Sequence, residues 1–314
     1  MKRTPQQIGL IHNPRSQRNR QRLLGAGSPH LLRAEPASLE ELAATLTDFS
    51  RREVSLLLIS GGDGTLRDVI SALPLAYGSN LPKLALLSSG NANVVASDVG
   101  SAGHTTAALQ RVLAAARDDS FRRRVRRPAL TLTWPDQAHA PVSGFFMGAA
   151  ALAQATHYAH QRVLTGGVQY DASVAVTVFA SFKQTLRGEG DWHLGEQIGV
   201  ALDDQPERAG ARFIFLATTL NKLMLGLWPF WGNGGPIRYL DIDAPPRRLG
   251  RSMIPLLRGR PTQRMLNDGY RSGCATRIRL QLNQPVVVDG EAFEPGPSGM
   301  IELSSGPEIE FLTP

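Results

Sequence analysis

The sequence is poor in cysteine, which excludes internal disulfides, and in long apolar runs, which excludes a run long enough to span a bilayer. Cys274 is the only cysteine of the 314 residues, so the chain has no internal disulfide and a cysteine-built zinc site is not expected. The longest apolar runs, Val174–Phe182 and Leu223–Trp231, are too short to span a bilayer. No apolar stretch follows the basic residues at the start, so we expect no signal peptide and a cytoplasmic protein, with peripheral membrane association left open.

Lysine is also scarce, and the positive charge comes mostly from arginine. Lys and Arg total 34 against 27 Asp and Glu, which gives a formal net charge of +7, and only four of the cations are lysines. The planar guanidinium group binds phosphate and carboxylate through two hydrogen bonds, although a GC-rich genome would produce the same bias. With 42% hydrophobic residues the composition is that of a packed protein rather than a disordered or fibrous one.

Short apolar strands alternate with amphipathic helices over the first 125 or so residues. We predict strands at Ile8–His12, Val54–Ser60 and Leu84–Leu87, and helices that start after Ser38 and near Thr65 and Thr105. This alternation predicts a doubly wound parallel sheet.

The pattern changes after the arginines at 122–124 and becomes rich in predicted strands. These are Ala129–Trp134, Val142–Met147, Gln197–Leu202, Arg212–Thr218, Arg277–Leu282, Val286–Val288 and Gly299–Leu303, with helices at Ala150–Val163 and Asp171–Arg187. We therefore predict an α/β nucleotide-binding domain over residues 1–125 and a β-rich substrate domain over 126–295. A C-terminal segment, 296–314, is expected to return to the first domain.

The strongest chemical signal is the segment Ser60–Thr65, SGGDGT, between a buried strand and a helix. Its glycines let backbone amides approach an anion, and the helix N-terminus favours negative charge, so the segment is predicted to bind phosphate. Asp63 by itself would repel phosphate, so we interpret it as a contact to a metal ion or a substrate hydroxyl. The alternative is a structural turn with a capping box from Thr65 to Asp68, which leaves three glycines around an acid unexplained.

Two more polar loops follow predicted strands of the first domain. Residues 13–16 read NPRS, and residues 88–93 read SSGNAN. In an open parallel sheet, ligands bind beyond the carboxyl ends of the strands. Each loop by itself is a weak signal, because the same residues are common in ordinary turns.

The segment Asp289–Gly290–Glu291 follows an apolar strand and has two interpretations. In an extended strand, residues i and i+2 point to one face, so the two carboxylates would share a site and divide metal and proton roles. Alternatively, Asp-Gly between apolar residues is a strong hairpin signal. The sequence does not decide between them.

Three further features have alternative interpretations. His157 and His160 lie three residues apart on a predicted helix, without a nearby carboxylate or thiol. We interpret them as surface or packed side chains, with a metal site as the alternative. The apolar run 223–231 is either core or an acyl-chain groove or membrane-interface segment. The arginines at 122–127 are interpreted as a solvated domain junction, with a phosphate or lipid-headgroup site as the alternative.

Together these motifs resemble the diacylglycerol kinase catalytic-domain family, which includes sphingosine, ceramide and bacterial lipid kinases. Asn13-Pro14-Arg15-Ser16 resembles its N-terminal Asn-Pro-x-Ser loop, and residues 61–65 are identical to its Gly-Gly-Asp-Gly-Thr motif. Residues 87–93 resemble its Pro-x-Gly-Thr-x-Asn loop, and residues 289–291 its late Asp-Gly-Glu motif. The order and spacing of the four motifs make the resemblance specific.

The resemblance implies an α/β nucleotide domain, a second β-sandwich domain and an active site in the cleft between them. It implies transfer of a phosphoryl group from ATP, with Mg²⁺, to a lipid hydroxyl at an anionic membrane surface. Glu291 is then the general-base candidate, Asp63 a catalytic candidate, and Asp63 and Asp289 the metal candidates. The implied nucleotide-binding residues are Asn13, Ser16, Gly61, Gly62, Gly64, Thr65, Ser89, Gly90, Asn91 and Asn93.

The sequence departs from the family pattern at five places. The Asp-Asp-Gly segment usual in bacterial members is not visible, and residues 236–241 occupy roughly its place. Gln17 stands where the family often has Gly, Asn91 where it has Thr, and Val94 where an Asp often follows; an Asp near Pro128 is also missing. The alternatives are an NAD kinase-like enzyme, which shares the Gly-Gly-Asp-Gly-Thr loop, and a non-catalytic nucleotide- or lipid-binding member of the family. We expect no nucleic-acid partner, and a homodimer is left open.

Overall fold

The computed structural model describes residues 7–16, 18–19, 31–90, 92–156 and 194–314. The chain forms two compact units, one of Met1–Ala129 with Pro307–Pro314 and one of Leu130–Gly306. Asn91, both histidines of the predicted helix and the helix predicted at 171–187 lie outside the described residues. Of the helix predicted at 150–163, residues 151–156 are helical and the others from 157 onward also lie outside.

The first unit is built on four parallel strands. They are β1 (Ile8–His12), β2 (Leu31–Ala34), β3 (Leu56–Gly61) and β4 (Lys83–Ser88), in the order β2-β1-β3-β4. Three of them were predicted, and β1 has the predicted bounds. β2 was missed because four residues with an arginine among them carry little strand pattern. Phe311, near the end of the last strand of the chain, pairs in parallel with Leu84.

Helices of the first unit cover its sheet. They are α1 (Leu39–Arg51), α2 (Asp63–Tyr77), α3 (Val94–Val99) and α4 (Thr106–Asp118). α4 shares a core with Leu10 and Leu58 of the sheet. The adjacent Gly9 points the other way, and a Cβ there would lie 2.8 Å from the Phe49 ring of α1. Because α2 begins at Asp63, Thr65 is inside the helix, and the capping-box alternative is wrong.

The second unit contains two sheets. Its strands are β5 (Arg123–Thr133, shared with the first unit), β6 (Val142–Gly144), β7 (Phe146–Ala150), β8 (Glu196–Gln197), β9 (Gly199–Leu202), β10 (Ala211–Thr218), β11 (Ile237–Asp243), β12 (Tyr270–Ala275), β13 (Arg277–Gln281), β14 (Val286–Val288), β15 (Glu291–Phe293) and β16 (Met300–Thr313). In one sheet β13 lies between β16 and β9, and the other has the order β12-β11-β10-β7-β14-β15.

One hydrophobic core is shared by strands of both sheets in this unit. Leu280 and Ile301 enter it from one sheet, and Phe215, Met147 and Val288 enter it from the other. Helices α5 (Leu249–Leu257) and α6 (Gln263–Asn267) follow β11. The mixed α/β architecture with two sheets agrees with the prediction. No helix within the described part of the chain is both long and apolar enough to cross a membrane.

Candidate phosphate-binding site

Three loops at the carboxyl ends of β1, β3 and β4 are joined by hydrogen bonds. The backbone N–H of Asn13 donates to the Ser60 carbonyl at 2.9 Å, and that of Ser89 donates to the Gly61 carbonyl at 2.9 Å. The Asn13 side-chain amide donates to Thr65 Oγ1 at 2.8 Å. The predicted loops therefore meet at one edge of the sheet, as the parallel arrangement requires.

A buried polar cluster supports these loops from beneath. The Asn19 side chain is 1% exposed, and its amide donates to the carbonyl oxygens of Asn13 at 2.8 Å and Ser60 at 3.0 Å. His12 Nδ1 lies 3.1 Å from Ser60 Oγ, and Ser89 Oγ donates to the Leu87 carbonyl at 3.0 Å. Such a network restricts the loop backbones to one arrangement. The sequence analysis missed Asn19 and His12, since nothing in their local pattern marks them.

Two of the loops contact each other through glycine backbones. A Cβ on Gly62 would lie 3.0 Å from the Gly90 Cα, and a Cβ on Gly90 would overlap the Gly62 Cα. A Cβ on Gly61 would lie 2.5 Å from the Thr65 side chain. These three glycines are therefore required by packing within the chain itself.

Packing does not require a glycine at position 64. It lies in the first turn of α2, where a Cβ would meet nothing within 4 Å. The N-cap residue of this helix is Gly62, so no side chain of the cap residue satisfies the first-turn amides. A helix start that is uncapped and open in this way is a suitable site for an anion, because the amides and the helix dipole both favour negative charge.

Asp63 has a structural role that the sequence analysis missed. Its Oδ2 accepts a hydrogen bond from the Val94 N–H at 2.9 Å, and its Oδ1 accepts one from the Val95 N–H at 3.2 Å. The carboxylate thus caps the N-terminus of α3 in place of Asn93, which makes no side-chain cap bond. The inference that Asp63 is explained only by a metal ion or a hydroxyl is therefore wrong. A carboxylate has about four acceptor sites, so these two bonds do not by themselves exclude a ligand role.

The other loop residues of the prediction occupy backbone-organising positions. The Asn93 side-chain amide donates to the Gly90 carbonyl at 2.7 Å, and Asn93 itself is left-handed, with φ 45°. Ser16 takes part through its backbone, donating to the Asn13 carbonyl at 3.2 Å and accepting from the Asn19 N–H at 2.9 Å. These contacts shape the loops without excluding a ligand.

The segment 289–291 is a hairpin, as one of its two interpretations predicted. β14 pairs antiparallel with β15 so that Val288 lies opposite Glu291. Asp289 and Gly290 form the two-residue turn with φ values of 44° and 89°, both left-handed as a type I′ turn requires. Asp289 is consequently not on the strand with Glu291, and the extended, shared-face interpretation is wrong.

The Asp289 carboxylate fixes the hairpin to the start of β7. Its Oδ2 accepts from the Phe145 N–H at 2.9 Å and its Oδ1 from the Phe146 N–H at 3.0 Å, while its own N–H donates to the Phe146 carbonyl at 2.9 Å. Glu291 is the first residue of β15 and is exposed. Asp289 is therefore an anchor of the hairpin, and Glu291 is the more accessible carboxylate of the pair.

Three of the arginines at 122–127 are ion-paired with acidic side chains of their own unit. Arg127 donates to Asp98 through two nitrogens, at 2.6 and 3.1 Å, and Asp98 is buried. Arg123 donates to the Asp98 carbonyl at 2.6 Å. The remaining ion pairs join Arg124 to Asp119, and Arg126 to Glu308 and Glu310. This pairing favours the junction interpretation over the lipid-headgroup alternative.

The acidic side chains of the described residues do not form a metal-binding cluster. Within the described residues, no group of three or more His, Cys, Asp or Glu side chains has an arrangement that would hold a metal ion. Magnesium is commonly held by one or two carboxylates together with substrate phosphates and water. Asp63, beside the open start of α2, fits that manner of binding.

Loops at the carboxyl ends of parallel strands, with an open helix start beside an aspartate, make the first unit an α/β domain with a candidate phosphate-binding site. Residues 7–120 match the family model of the diacylglycerol kinase catalytic domain. The resemblance to that family is thereby confirmed, and it supports a kinase activity. The matched residues contain three of the four motifs.

Solved structures extend the likeness of the fold beyond the matched residues. Two structures of a candidate diacylglycerol kinase from Bacillus anthracis str. Sterne superpose with TM-scores of 0.65 and 0.63, at 13% and 15% identity. They cover 98% of this chain and 95% and 97% of theirs. A structure of diacylglycerol kinases from the same organism has a TM-score of 0.58 at 13% identity, covering 98% and 97%. A search of curated proteins finds no match.

Proposed function

We propose that the protein is a lipid kinase that transfers the γ-phosphoryl group of ATP to the hydroxyl of a diacylglycerol-like or sphingoid-like lipid. The observation that carries the proposal is the open start of α2, where a Cβ on Gly64 would meet no atom of the described residues within 4 Å. Packing explains the other glycines of the loop but not this one. A bound phosphate explains it, because the group needs room against the first-turn amides.

The nucleotide is assigned to the three joined loops. The phosphates lie at the start of α2, against the amides of residues 63–65. Mg²⁺ neutralises phosphate charge when it is bound there, and Asp63 is the residue of the first unit that would hold it. Because its carboxylate is fixed by the Val94 and Val95 amides, Asp63 would present a charge in a set position, as phosphoryl transfer requires.

Glu291 is proposed as the general base, following the family resemblance. A hydroxyl is a poor nucleophile until a nearby group takes its proton, and a carboxylate serves that purpose. The hairpin leaves Glu291 exposed while the backbone amides at 145 and 146 occupy Asp289. Accordingly, Asp289 is proposed as a positioning residue that holds the hairpin, with a metal role second to that.

A labelled-ATP assay tests the proposal. The purified protein is incubated with ATP and Mg²⁺ and with one of three acceptors: a total lipid extract, diacylglycerol with sphingosine, or NAD. A radioactive lipid product is the expected result. A phosphorylated NAD product would instead assign an NAD kinase-like activity, and nucleotide binding without any product would assign the non-catalytic alternative.

A further inference from the structure

Most of the net charge of the protein lies in one stretch of the second unit. Residues 222–266 contain Lys222 and seven arginines against only two acids, Asp241 and Asp243, so the stretch carries +6 of the overall +7. The same stretch contains the apolar run 223–231 and helix α5. An apolar run within so basic a stretch needs an explanation beyond core packing.

The two acids of the stretch do not neutralise its surface. Asp241 is fully buried, with its Oδ2 2.9 Å from Arg208 Nη2 and its Oδ1 2.8 Å from Arg212 Nε. Asp243 accepts two hydrogen bonds of 2.6 Å from Arg271. Their partners come from outside the stretch, so these two acids do not pair with its surface cations; Arg248 of the stretch pairs with Asp268, just beyond it.

The outer face of α5 combines charge with an exposed apolar side chain. Leu249, Ser252 and Leu256 are the buried residues of this helix. On the opposite face, Arg251 and Arg258 are exposed on either side of Ile254, three and four residues away, and Ile254 is 63% exposed. An isoleucine between two arginines on the water side of a helix contributes nothing to the core.

A loop fixed to the end of α5 presents a second apolar side chain. Leu225 is 82% exposed and has a left-handed backbone, with φ 58°. The Trp228 N–H donates to the Leu257 carbonyl at 2.9 Å, and the Arg238 guanidinium lies 5.4 Å from the centre of the Trp228 ring. The loop is therefore attached to the carboxyl end of α5 rather than extended freely.

We propose that this basic apolar surface, formed by Leu225, Leu227 and Ile254 with the surrounding cations, docks onto a bilayer that contains anionic lipid. Within the described residues, no acidic group lies within 4 Å of the side chains of Lys222, Arg247, Arg251, Arg258, Arg260 or Arg264. Apolar tips that enter the interface and arginines that meet lipid phosphates are the pattern of interfacial binding. In the arginine cluster at 122–127, by contrast, Arg124, Arg126 and Arg127 are ion-paired.

Sedimentation with vesicles tests this surface without any measurement of turnover, so its failure is separate from failure of the proposed kinase activity. The full chain is mixed with phosphatidylcholine vesicles, either alone or containing phosphatidylglycerol, at low and at high salt. We expect binding to the anionic vesicles that weakens with salt, because surface charge is screened over about 8 Å at physiological ionic strength.

Matched variants test whether vesicle binding depends on this surface rather than on exposed charged and apolar side chains elsewhere. Arg251→Gln with Arg258→Gln should weaken binding by about fivefold for each arginine removed, and Leu225→Ser with Ile254→Ser should reduce the salt-resistant part. The controls are Arg52→Gln with Arg117→Gln, and Leu39→Ser with Leu75→Ser, which change exposed residues of the first unit. These controls should bind like the original protein.

Three results would overturn the inference. One is equal binding to neutral and anionic vesicles, and another is an equal loss in the surface variants and their controls. The third is a dimer without lipid that dissociates on Leu225→Ser with Ile254→Ser, which would assign the surface to a second copy of the chain. Circular dichroism of each variant checks that the fold is retained.

Discussion

Gly62 and Gly90 meet backbone to backbone where the loops after β3 and β4 cross. A Cβ on Gly62 would lie 3.0 Å from the Gly90 Cα, closer than side chains tolerate without adjustment. The Ser89 N–H donates to the Gly61 carbonyl at 2.9 Å beside this contact. The two loops are thus held as one surface, and the glycines of the first loop separate into those that packing needs and the one, Gly64, that it does not.

Gly90→Ala should destabilise the first unit. The new Cβ would overlap the Gly62 Cα, which is backbone and cannot rotate away. Overpacking of this kind costs about 1–3 kcal/mol, so we expect a lower melting temperature and weaker nucleotide binding. An unchanged melting temperature, measured by differential scanning calorimetry, would contradict the loop contact.

Gly64→Ala should have the opposite effect on stability. Its Cβ meets nothing within 4 Å and the position is helical, so replacing glycine with alanine should stabilise by up to about 1 kcal/mol. We expect nucleotide affinity to fall at the same time, because the Cβ occupies the space assigned to phosphate. Isothermal titration with ATP measures this affinity. An affinity equal to that of the unaltered protein would contradict a phosphate site beside Gly64, on which the proposed function rests.

Asp63→Asn should reduce both stability and turnover. Asparagine keeps one acceptor for the two amides at the start of α3 and removes the negative charge there. The loss of a helix cap costs about 0.5–2 kcal/mol, so the melting temperature should fall, while loss of the charge should abolish turnover. Asp68→Asn, which removes the charge of a neighbouring carboxylate paired with Arg67, is the control. Turnover equal to that of the unaltered protein would exclude a catalytic role for Asp63.

Glu291→Gln should lower the rate of transfer by about 10²–10⁴, the usual contribution of a general base. Nucleotide affinity and melting temperature should change little, because Glu291 is exposed at the start of β15. Glu294→Gln, a nearby exposed carboxylate, is the control. Gly290→Ala is the structural comparison. Because residue 290 has a φ of 89°, an alanine there would strain the turn by about 1–2 kcal/mol. Full activity of Glu291→Gln would show that the segment 289–291 is a structural hairpin and that Glu291 is not the general base.

The stability of the second unit should depend on pH through Asp243. Burial by itself would raise the pKa of Asp243, but the hydrogen bonds from Arg271 and the nearby Arg212 and Arg208 charges outweigh it and lower that pKa. A depressed pKa means that the stabilisation is fully present above the unfolded value of about 3.9 and is lost as the pH falls through the folded value.

Asp243→Asn tests that dependence. The variant should melt below the original protein at neutral pH, where Arg271 loses its partner, and the difference should narrow as the pH falls below about 4. Thermal melts across the acid range, followed by circular dichroism, provide the measurement. A difference that stays constant with pH would show that the contribution of Asp243 does not arise from its charge.

Local pattern predicted the elements that local forces control. Ile8–His12 and Val286–Val288 were predicted with their observed bounds, because a continuous apolar run bounded by turn residues specifies a buried strand. Asp-Gly at 289–290 indicated the hairpin through turn chemistry. β11 was missed, since Asp241 and Asp243 interrupt its apolar pattern and are tolerated only because arginines from elsewhere neutralise them. β12 was missed because Arg271, Ser272 and Gly273 interrupt its own.

The features of the candidate site also fall into those that the local sequence predicted and those that only the tertiary structure showed. The sequence by itself determined that polar and glycine-rich loops follow β1, β3 and β4, because strand pattern and turn residues are properties of neighbours in the chain. Only the tertiary structure decided that Asp63 caps a helix 31 residues further on, that Asn19 is buried beneath Ser60, and that Gly64, unlike Gly61 and Gly62, faces open space. Those relationships depend on which distant segments pack together, and no short-range pattern records that.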